Sequence, residues 1–365
     1  MTTEDGGRKT ENRTQRTANR KPNAMSAIGF LSSVFVFLLL AGCAAPPPPP
    51  KPVPPPLPKP VPPPVAKPVP PVQPAEIRAV WVSDTTKLNW DQATRDLRTA
   101  GFNTMYVNLA SAGAAFYAPG DNDRIARGIE LAHQRGLAVH AKLVTLFLFK
   151  SPPEFQKKMI AEGRVMRRPN GQPLTQNGYA WLCPTHPDNR QMLLNLVRDL
   201  VGRYPVDGVQ FDYIRYCEEP SCYCGRCPTD NAGRERVIDA LLADLVAAAR
   251  QTRPGLAVSA AVFSDLNRAR EEKAQNWRGW LQRGLVDYVC TMTYTTDARA
   301  FESLVRQQAR WAGSNRRVVA GIGSWKMRRA GEMNAFIHLT RRLNVAGFAL
   351  FSYDDLAARD VWPRL

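Results

Sequence analysis

Asp212 lies within the segment Tyr204-Pro205-Val206-Asp207-Gly208-Val209-Gln210-Phe211-Asp212-Tyr213-Ile214-Arg215-Tyr216. There an apolar run gives way to a carboxylate, a ring, a cation and a second ring. A carboxylate placed next to cations and rings suits acid–base or nucleophilic work. Side chains alternate along a strand, so Val209, Phe211 and Tyr213 share one face and Gly208, Gln210 and Asp212 the other. A strand buried on both faces would not normally put Gln and Asp on the same side. A barrel strand can, because its inner face opens at the C-terminal mouth, where catalytic groups sit. Asp212 is therefore the leading catalytic residue, whereas Asp207, at the strand's start, falls at the barrel bottom and reads as structural.

Such a carboxylate needs strands that converge on it. Apolar runs of strand length fall at 77–83, 104–109, 137–143, 206–212, 256–262, 286–293, 317–323 and 347–353. Helical stretches lie between them near 91–100, 123–135, 188–203, 233–252, 275–284, 298–312 and 331–343, several with Gly stops at Gly101, Gly136 and Gly284. Eight strands alternating with helices predict an α/β (β/α)₈ TIM barrel whose last helix is truncated. Alternation on the other strands puts Ala79, Trp81 and Ser83 on one face, then Thr104, Tyr106 and Asn108, then Ala138, His140 and Lys142. Trp81, Asn108, His140 and Lys142 thus become substrate-binding candidates around the mouth that holds Asp212. Singly, His140 could be a hydrogen-bonded core histidine and Lys142 a structural partner of Asp212. The later strands add Tyr294, Trp325 and the Tyr353-Asp354 pair, with rings of the kind that stack on sugar faces.

Of seven cysteines, Cys217, Cys222, Cys224 and Cys227 crowd the loop after the Asp212 strand as C-x₄-C-x-C-x₂-C. Four thiolates so close could hold a structural zinc; two disulfides are the rival, favoured by an oxidising compartment. In either case the loop is a staple shaping one wall of the cleft, with no cofactor expected for catalysis. Cys290 reads as a small buried residue, and Cys183 as a loop cysteine that could be free.

The apolar stretch 26–42 runs into Leu40-Ala41-Gly42-Cys43, too short for a comfortable membrane span and close to a signal-peptide core. The pattern is that of a lipoprotein leader over 1–43, lipidated at Cys43, with start at Met1 or Met25. Ala44 after the cysteine points to the periplasmic face of a Gram-negative outer membrane. Residues 44–75 form a Pro-rich linker whose 46–74 tract is almost wholly Pro, Lys and Val. It reads as a polyproline II spacer of roughly 90 Å at ~3.1 Å per residue. The chain holds 49 Lys and Arg against 32 Asp and Glu. Six basic and three acidic residues precede Cys43 and three lysines lie in the linker, leaving 40 against 29, a net +11, in the domain 76–365. A basic surface suits an acidic wall polymer; export and the lack of a nucleic-acid motif exclude nucleic acid, and a monomer is expected. Walker, Rossmann, GxSxG and HExxH motifs are missing, which excludes nucleotide, serine-hydrolase and zinc-protease chemistry.

Several blocks resemble, in order, those of glycosyl-hydrolase-like family ten, formerly a domain of unknown function. They include Arg78-Ala79-Val80-Trp81-Val82, Gly136-Leu137-Ala138-Val139-His140-Ala141, Cys183-Pro184-Thr185-His186-Pro187-Asp188, Tyr204 to Tyr216, and Gly321-Ile322-Gly323-Ser324-Trp325-Lys326. The resemblance covers nearly all of 77–356 and its most specific block is Asp207 to Tyr216. It implies a TIM-barrel glycosidase, and the lipobox fits a subgroup that cleaves peptidoglycan glycans stripped of their stem peptides. Asp207 to Asp212 also superficially resembles the acidic strand of family-eighteen chitinases. That motif requires Glu where this chain has Ile214, so substrate-assisted cleavage is rejected.

Glycosidic cleavage ordinarily takes two carboxyls. The resemblance to α-galactosidase-like barrels implies Asp212 as nucleophile, kept ionised by Lys142 or Arg215. Asp354 and Glu218 are the leading candidates for the second catalytic carboxyl, with Asp265, Asp297 and, more weakly, Asp84 behind them. Retaining and inverting outcomes both stay open. Arg215 could instead grip an acidic sugar substituent through its fork. A barrel that binds wall glycan without cleaving it is the alternative function.

Overall fold

The computed structural model of the chain describes residues 76–116, 123–217, 222–363 and 365. Eight strands follow in order: β1 (Ile77–Val82), β2 (Thr104–Ser111), β3 (Ala138–Val144), β4 (Gly208–Asp212), β5 (Ala257–Phe263), β6 (Tyr288–Met292), β7 (Val318–Gly323) and β8 (Gly347–Phe351). Each pairs in parallel with the next, and β8 pairs with β1, closing the sheet. Between them run α1 (Trp90–Thr99), α2 (Arg124–Gln134), α3 (Pro153–Ala161), α4 (Pro187–Arg203), α5 (Asn231–Thr252), α6 (Leu266–Lys273), α7 (Trp277–Gln282), α8 (Ala298–Ala312) and α9 (Ala330–Arg342); α10 (Tyr353–Arg359) ends the series. This is the expected (β/α)₈ barrel, with a last helix of seven residues. The sequence reading missed α3 and α6. α3 buries Met159 alone, and α6 is largely charged, so neither presents an apolar stripe to read.

The period-two pattern sorts the strands' side chains between two environments. Val80, Val82, Met105, Val107, Leu109, Val139, Val209 and Phe211 face the helices in the main core. Ala79, Trp81, Tyr106, Tyr288, Cys290, Val319 and Ala349 fill the barrel interior. Phe211 is completely buried, and burial of one such ring contributes ~1.5–3 kcal/mol. Several helices start on side-chain caps: Asn89 accepts from the Gln92 amide, Asp123 from Ile125 and Ala126, and Asp297 from Arg299 and Ala300. The stops expected at Gly101, Gly136 and Gly284 have φ of 88°, 70° and 66°, where a Cβ would be strained.

A repeated clamp sets register at the barrel bottom. The residue preceding each of β2, β4 and β6 accepts the second amide of the strand before. Asn103 Oδ1 takes Arg78 N–H at 2.9 Å, Asp207 Oδ2 takes Val139 N–H at 2.7 Å, and Asp287 Oδ2 takes Val258 N–H at 2.7 Å. Their own amides donate to the carbonyls of the same three residues at 2.8–3.0 Å. At the fourth equivalent place Ala346 has no side-chain acceptor and keeps only the backbone half, to Val318 O at 2.8 Å. Asp207 thus occupies the structural position expected of it. Among the described residues no helix is long and apolar enough to cross a membrane; the leader with Cys43 and the Pro-rich linker lie outside them.

Candidate active site

A cavity of about 280 Å³ opens at the C-terminal mouth of the barrel, lined by Trp81, Ser83, Asn108, Lys142, Val144, Phe149, Asp212, Tyr213, Ala261, Met292, Tyr294, Trp325 and Phe351. The strands' inward alternation brings Trp81, Asn108, Lys142 and Asp212 there. Lys142 Nζ donates to Asp212 Oδ2 at 3.1 Å, and Asp212 Oδ1 accepts the Tyr213 amide at 2.8 Å. Both side chains are nearly buried, so the ammonium offsets a carboxylate charge that burial alone would make costly. Asn108 Oδ1 and Ser83 Oγ are buried with no hydrogen-bond partner among the described residues, which suits them to the hydroxyls of a polar ligand. β2 slips register against β3 between Asn108 and Ala110, a bulge that follows directly after the inward-facing Asn108.

Beneath the carboxylate the interior is polar and fully connected. Trp81 Nε1 donates to Gln210 Oε1 at 2.6 Å, and Gln210 Nε2 reaches Cys290 Sγ at 3.2 Å and Ser259 Oγ at 3.3 Å. The Cys290 thiol contacts Tyr106 Oη at 3.4 Å, and Tyr106 Oη lies 3.2 Å from Tyr288 Oη. Cys290 is therefore buried as expected yet hydrogen-bonded rather than merely apolar, and burial pushes its thiol up to about 12. His140 belongs to this layer, not to the mouth. Its Nδ1 meets Tyr288 Oη at 3.3 Å, its ring stands edge-on to Tyr106, and it does not line the cavity. Gly208 on the adjacent strand makes room for it, since a Cβ there would sit 2.3 Å from the imidazole. Burial lowers the His140 pKa to about 4, with the Asp207 charge pulling weakly the other way. The Tyr294 phenol at the mouth is raised well above its ordinary value, by burial first and then by Asp212.

One wall of the cavity is aromatic. Trp325, 45% exposed, stands edge-on to Tyr294 at 4.8 Å on the rim. Tyr213 leaves the strand with φ 52° and so departs from the face it was expected to share with Val209 and Phe211. Its ring meets Phe147 at 5.0 Å and Trp181 at 5.6 Å. The left-handed turn at a bulky residue is the reason simple alternation failed there.

Two further expectations are corrected. Arg215 does not reach the mouth to grip a substituent. Its guanidinium is buried over the rings of Trp181, Tyr213 and Phe263 at 4.8–4.9 Å and donates to the Tyr216 carbonyl, bracing the wall from behind. Asp354 does not line the cavity either. Its Oδ2 accepts the Ser83 amide at 2.9 Å, tying the start of α10 to the end of β1. Asp265 and Asp297 are helix caps. Asp84 pairs with Lys150 at 3.5 Å, joining the loops after β1 and β3 whose neighbouring residues Ser83 and Phe149 line the cavity. Glu218 lies outside the described residues. Among the described residues lining the cavity, Asp212 is the sole carboxylate.

The cysteine cluster differs from the set read in sequence. Cys183, Cys222, Cys224 and Cys227 bring their sulfurs within 4.8 Å of one another. Cys217 points elsewhere, its thiol 3.9 Å from Gln176 Oε1. Cys183 comes from the loop before α4, 39 residues upstream of Cys222, so spacing within one loop could not reveal it.

A sequence profile of the family described as Glycosyl hydrolase-like 10 matches residues 76–330. Glycosyl hydrolase DigH of Escherichia coli strain K12 is 24% identical over 298 residues, covering 61% of this chain and 66% of its own length. The chain thus spans just under two thirds of that relative. Among solved structures, the PgaB (BpsB) glycoside hydrolase domain of Bordetella bronchiseptica is similar with TM-score 0.59 at 16% identity, covering 79% of this chain and 99% of that one. Alpha-L-fucosidase isoenzyme 2 of Paenibacillus thiaminolyticus follows with TM-score 0.53 at 14% identity, covering 78% and 50%. These structural likenesses are of fold. The family match runs from the start of β1 into α9 and includes the strands that carry Asp212, Lys142 and Asn108, and on that match the chain belongs to the Glycosyl hydrolase-like 10 family.

Proposed function

We propose that this chain is a glycoside hydrolase of the bacterial cell envelope that cleaves glycosidic bonds in peptidoglycan glycan strands or a related polysaccharide. Asp212 is its central carboxylate. The observation that carries the reading is the pairing of Asp212 with Lys142 at 3.1 Å inside an aromatic-lined cavity at the barrel mouth. The ammonium orients the carboxylate as nucleophile or base, Asn108 and Ser83 bind sugar hydroxyls, and Tyr294 and Trp325 stack on ring faces. Net charge of +11 over 76–365 suits an anionic wall polymer. Hydrolysis also needs a proton donor to the leaving oxygen, roughly 5–9.5 Å from Asp212; Glu218 is the candidate for it, whereas Asp84 is held below the ordinary carboxylate range by its hydrogen bond with Thr86 and by Lys150. Lipidation at Cys43 and the Pro-rich spacer would hold the enzyme to the periplasmic face of an outer membrane.

The second reading is a barrel that binds wall glycan without cutting it, and the solitary carboxylate of the described cavity favours it. Wild type and Asp212→Asn protein, incubated with intact and with amidase-stripped peptidoglycan, separate the two by mass analysis of released fragments. Fragments from the wild type alone are expected, and their ends identify the bond cleaved. No fragments from either, with retention on the same wall material, would leave the binding reading standing.

A further inference from the structure

The four clustered thiols stand too far apart for disulfides and at the right distance for a shared metal. Cys183 Sγ lies 3.5 Å from Cys224, 3.6 Å from Cys227 and 3.8 Å from Cys222, whereas a disulfide closes to ~2.05 Å. Four sulfurs at ~2.3 Å from one tetrahedral Zn²⁺ are ~3.8 Å from each other. Cys224 and Cys227 converge because Gly225 between them turns at φ 77°, a conformation glycine adopts without strain. A supporting shell surrounds the sulfurs. Thr185 Oγ1 lies 3.1 Å from Cys183 Sγ and 3.4 Å from Cys227 Sγ, and Tyr216 Oη donates to Cys227 Sγ at 3.5 Å. Hydroxyls aimed at sulfur stabilise thiolates and orient metal ligands.

We propose that Cys183, Cys222, Cys224 and Cys227 bind one Zn²⁺, which clamps the loop after β4 to the loop before α4 and thereby fixes the aromatic wall of the cavity. Coordination turns the thiols into thiolates and releases their protons. The site lies directly behind the wall in sequence and in space. Cys183 follows Trp181 by two residues, and Tyr216, which touches Cys227, follows Arg215, whose guanidinium packs on both Trp181 and Tyr213. The metal's role is to hold geometry; with four protein ligands it has no open position for substrate.

The full-length chain, purified without chelator, is analysed for metal content by mass spectrometry alongside Cys183→Ser and Cys217→Ser. About one zinc per chain is expected in the wild type and in Cys217→Ser, with at least a tenfold loss of affinity in Cys183→Ser. Should Cys183→Ser fail to fold, Co²⁺ exchanged into the wild type is the second measurement, expected to show thiolate charge-transfer absorption and the visible bands of a tetrahedral ion. A mass deficit equal to two disulfides would overturn the proposal. So would no metal uptake by the reduced protein, or zinc lost in Cys217→Ser and kept in Cys183→Ser. None of these readouts involves glycan cleavage, so the metal site stands or falls apart from the activity.

Discussion

Lys142 Nζ and Asp212 Oδ2 face each other at 3.1 Å with side chains only 6% and 13% exposed, on adjacent strands and at the level where the barrel opens. Breaking such a pair on one side leaves a buried charge uncompensated, at a cost of ~3–5 kcal/mol, whereas removing both charges is often close to neutral. Lys142→Met is therefore expected to lower stability by about that amount, and Lys142→Met combined with Asp212→Asn to regain much of it. Urea unfolding of the four proteins gives the coupling directly. A double variant destabilised by the sum of the two single effects would mean that the pair is not electrostatically coupled. On hydrolysis, Asp212→Asn should cost on the order of 10²–10⁴-fold, and the double variant should not recover it, because stability and chemistry use the carboxylate differently.

The clamps at the barrel bottom predict a stability effect without an effect on the site. Asp207→Ala and Asp287→Ala each strip the acceptor from a buried strand amide, Val139 N–H or Val258 N–H. The unsatisfied amide costs ~1–3 kcal/mol. Denaturant midpoints should fall accordingly while substrate KM stays unchanged, since both carboxylates lie at the opposite end of the barrel from Asp212. A loss of activity at full stability would place them in the wrong role.

The strands and the mouth were legible because two periods do the positioning. Alternation alone places Trp81, Asn108, Lys142 and Asp212 inward, and the structure has them lining one cavity. It stops being informative where the strand stops. Tyr213 turns at φ 52° and Arg215 folds back onto Trp181, neither of which a period-two pattern can anticipate. Depth within the barrel is also invisible to alternation, so His140 shares Lys142's face yet sits one layer below the cavity. Cys183 was not grouped with the other three because the loop before α4 carries it to partners in the loop after β4, a long-range contact with no local signature. The same holds for Asp354, whose tie to the Ser83 amide spans 271 residues.

Trp325 offers a test of the rim. It is one of two large apolar side chains exposed to solvent among the described residues, and its ring rests edge-on against Tyr294 rather than in the core. Trp325→Ala should leave the unfolding midpoint almost unchanged. A lost ring contact of ~0.5–1.5 kcal/mol corresponds to a rise in KM for polymeric glycan of about two- to tenfold, with kcat little altered. Steady-state kinetics on a polymer and on a short oligosaccharide separate this from a catalytic defect. An unchanged KM on the polymer, with cleavage intact, would remove Trp325 from the binding surface.

His140 predicts how stability varies with pH. Its pKa is lowered by burial from 6.5 in the unfolded chain to about 4 in the folded protein. Between those values the unfolded state binds a proton that the folded state refuses, so acidification favours unfolding. The contribution is fully present above pH 6.5, falls away as the pH drops toward 4, and changes no further below that. A shift of this size corresponds to about 3 kcal/mol at ~1.4 kcal/mol per pH unit. His140→Gln keeps a polar group against Tyr288 and Tyr106 but cannot titrate. Its stability should therefore decline less than the wild type's over pH 6.5 to 4.5, even if it starts lower at neutral pH through imperfect packing beside Gly208. Unfolding free energies measured across that range for both proteins decide the matter. Parallel curves would show that the acid sensitivity belongs to other groups and that the imidazole is accommodated in its charged form.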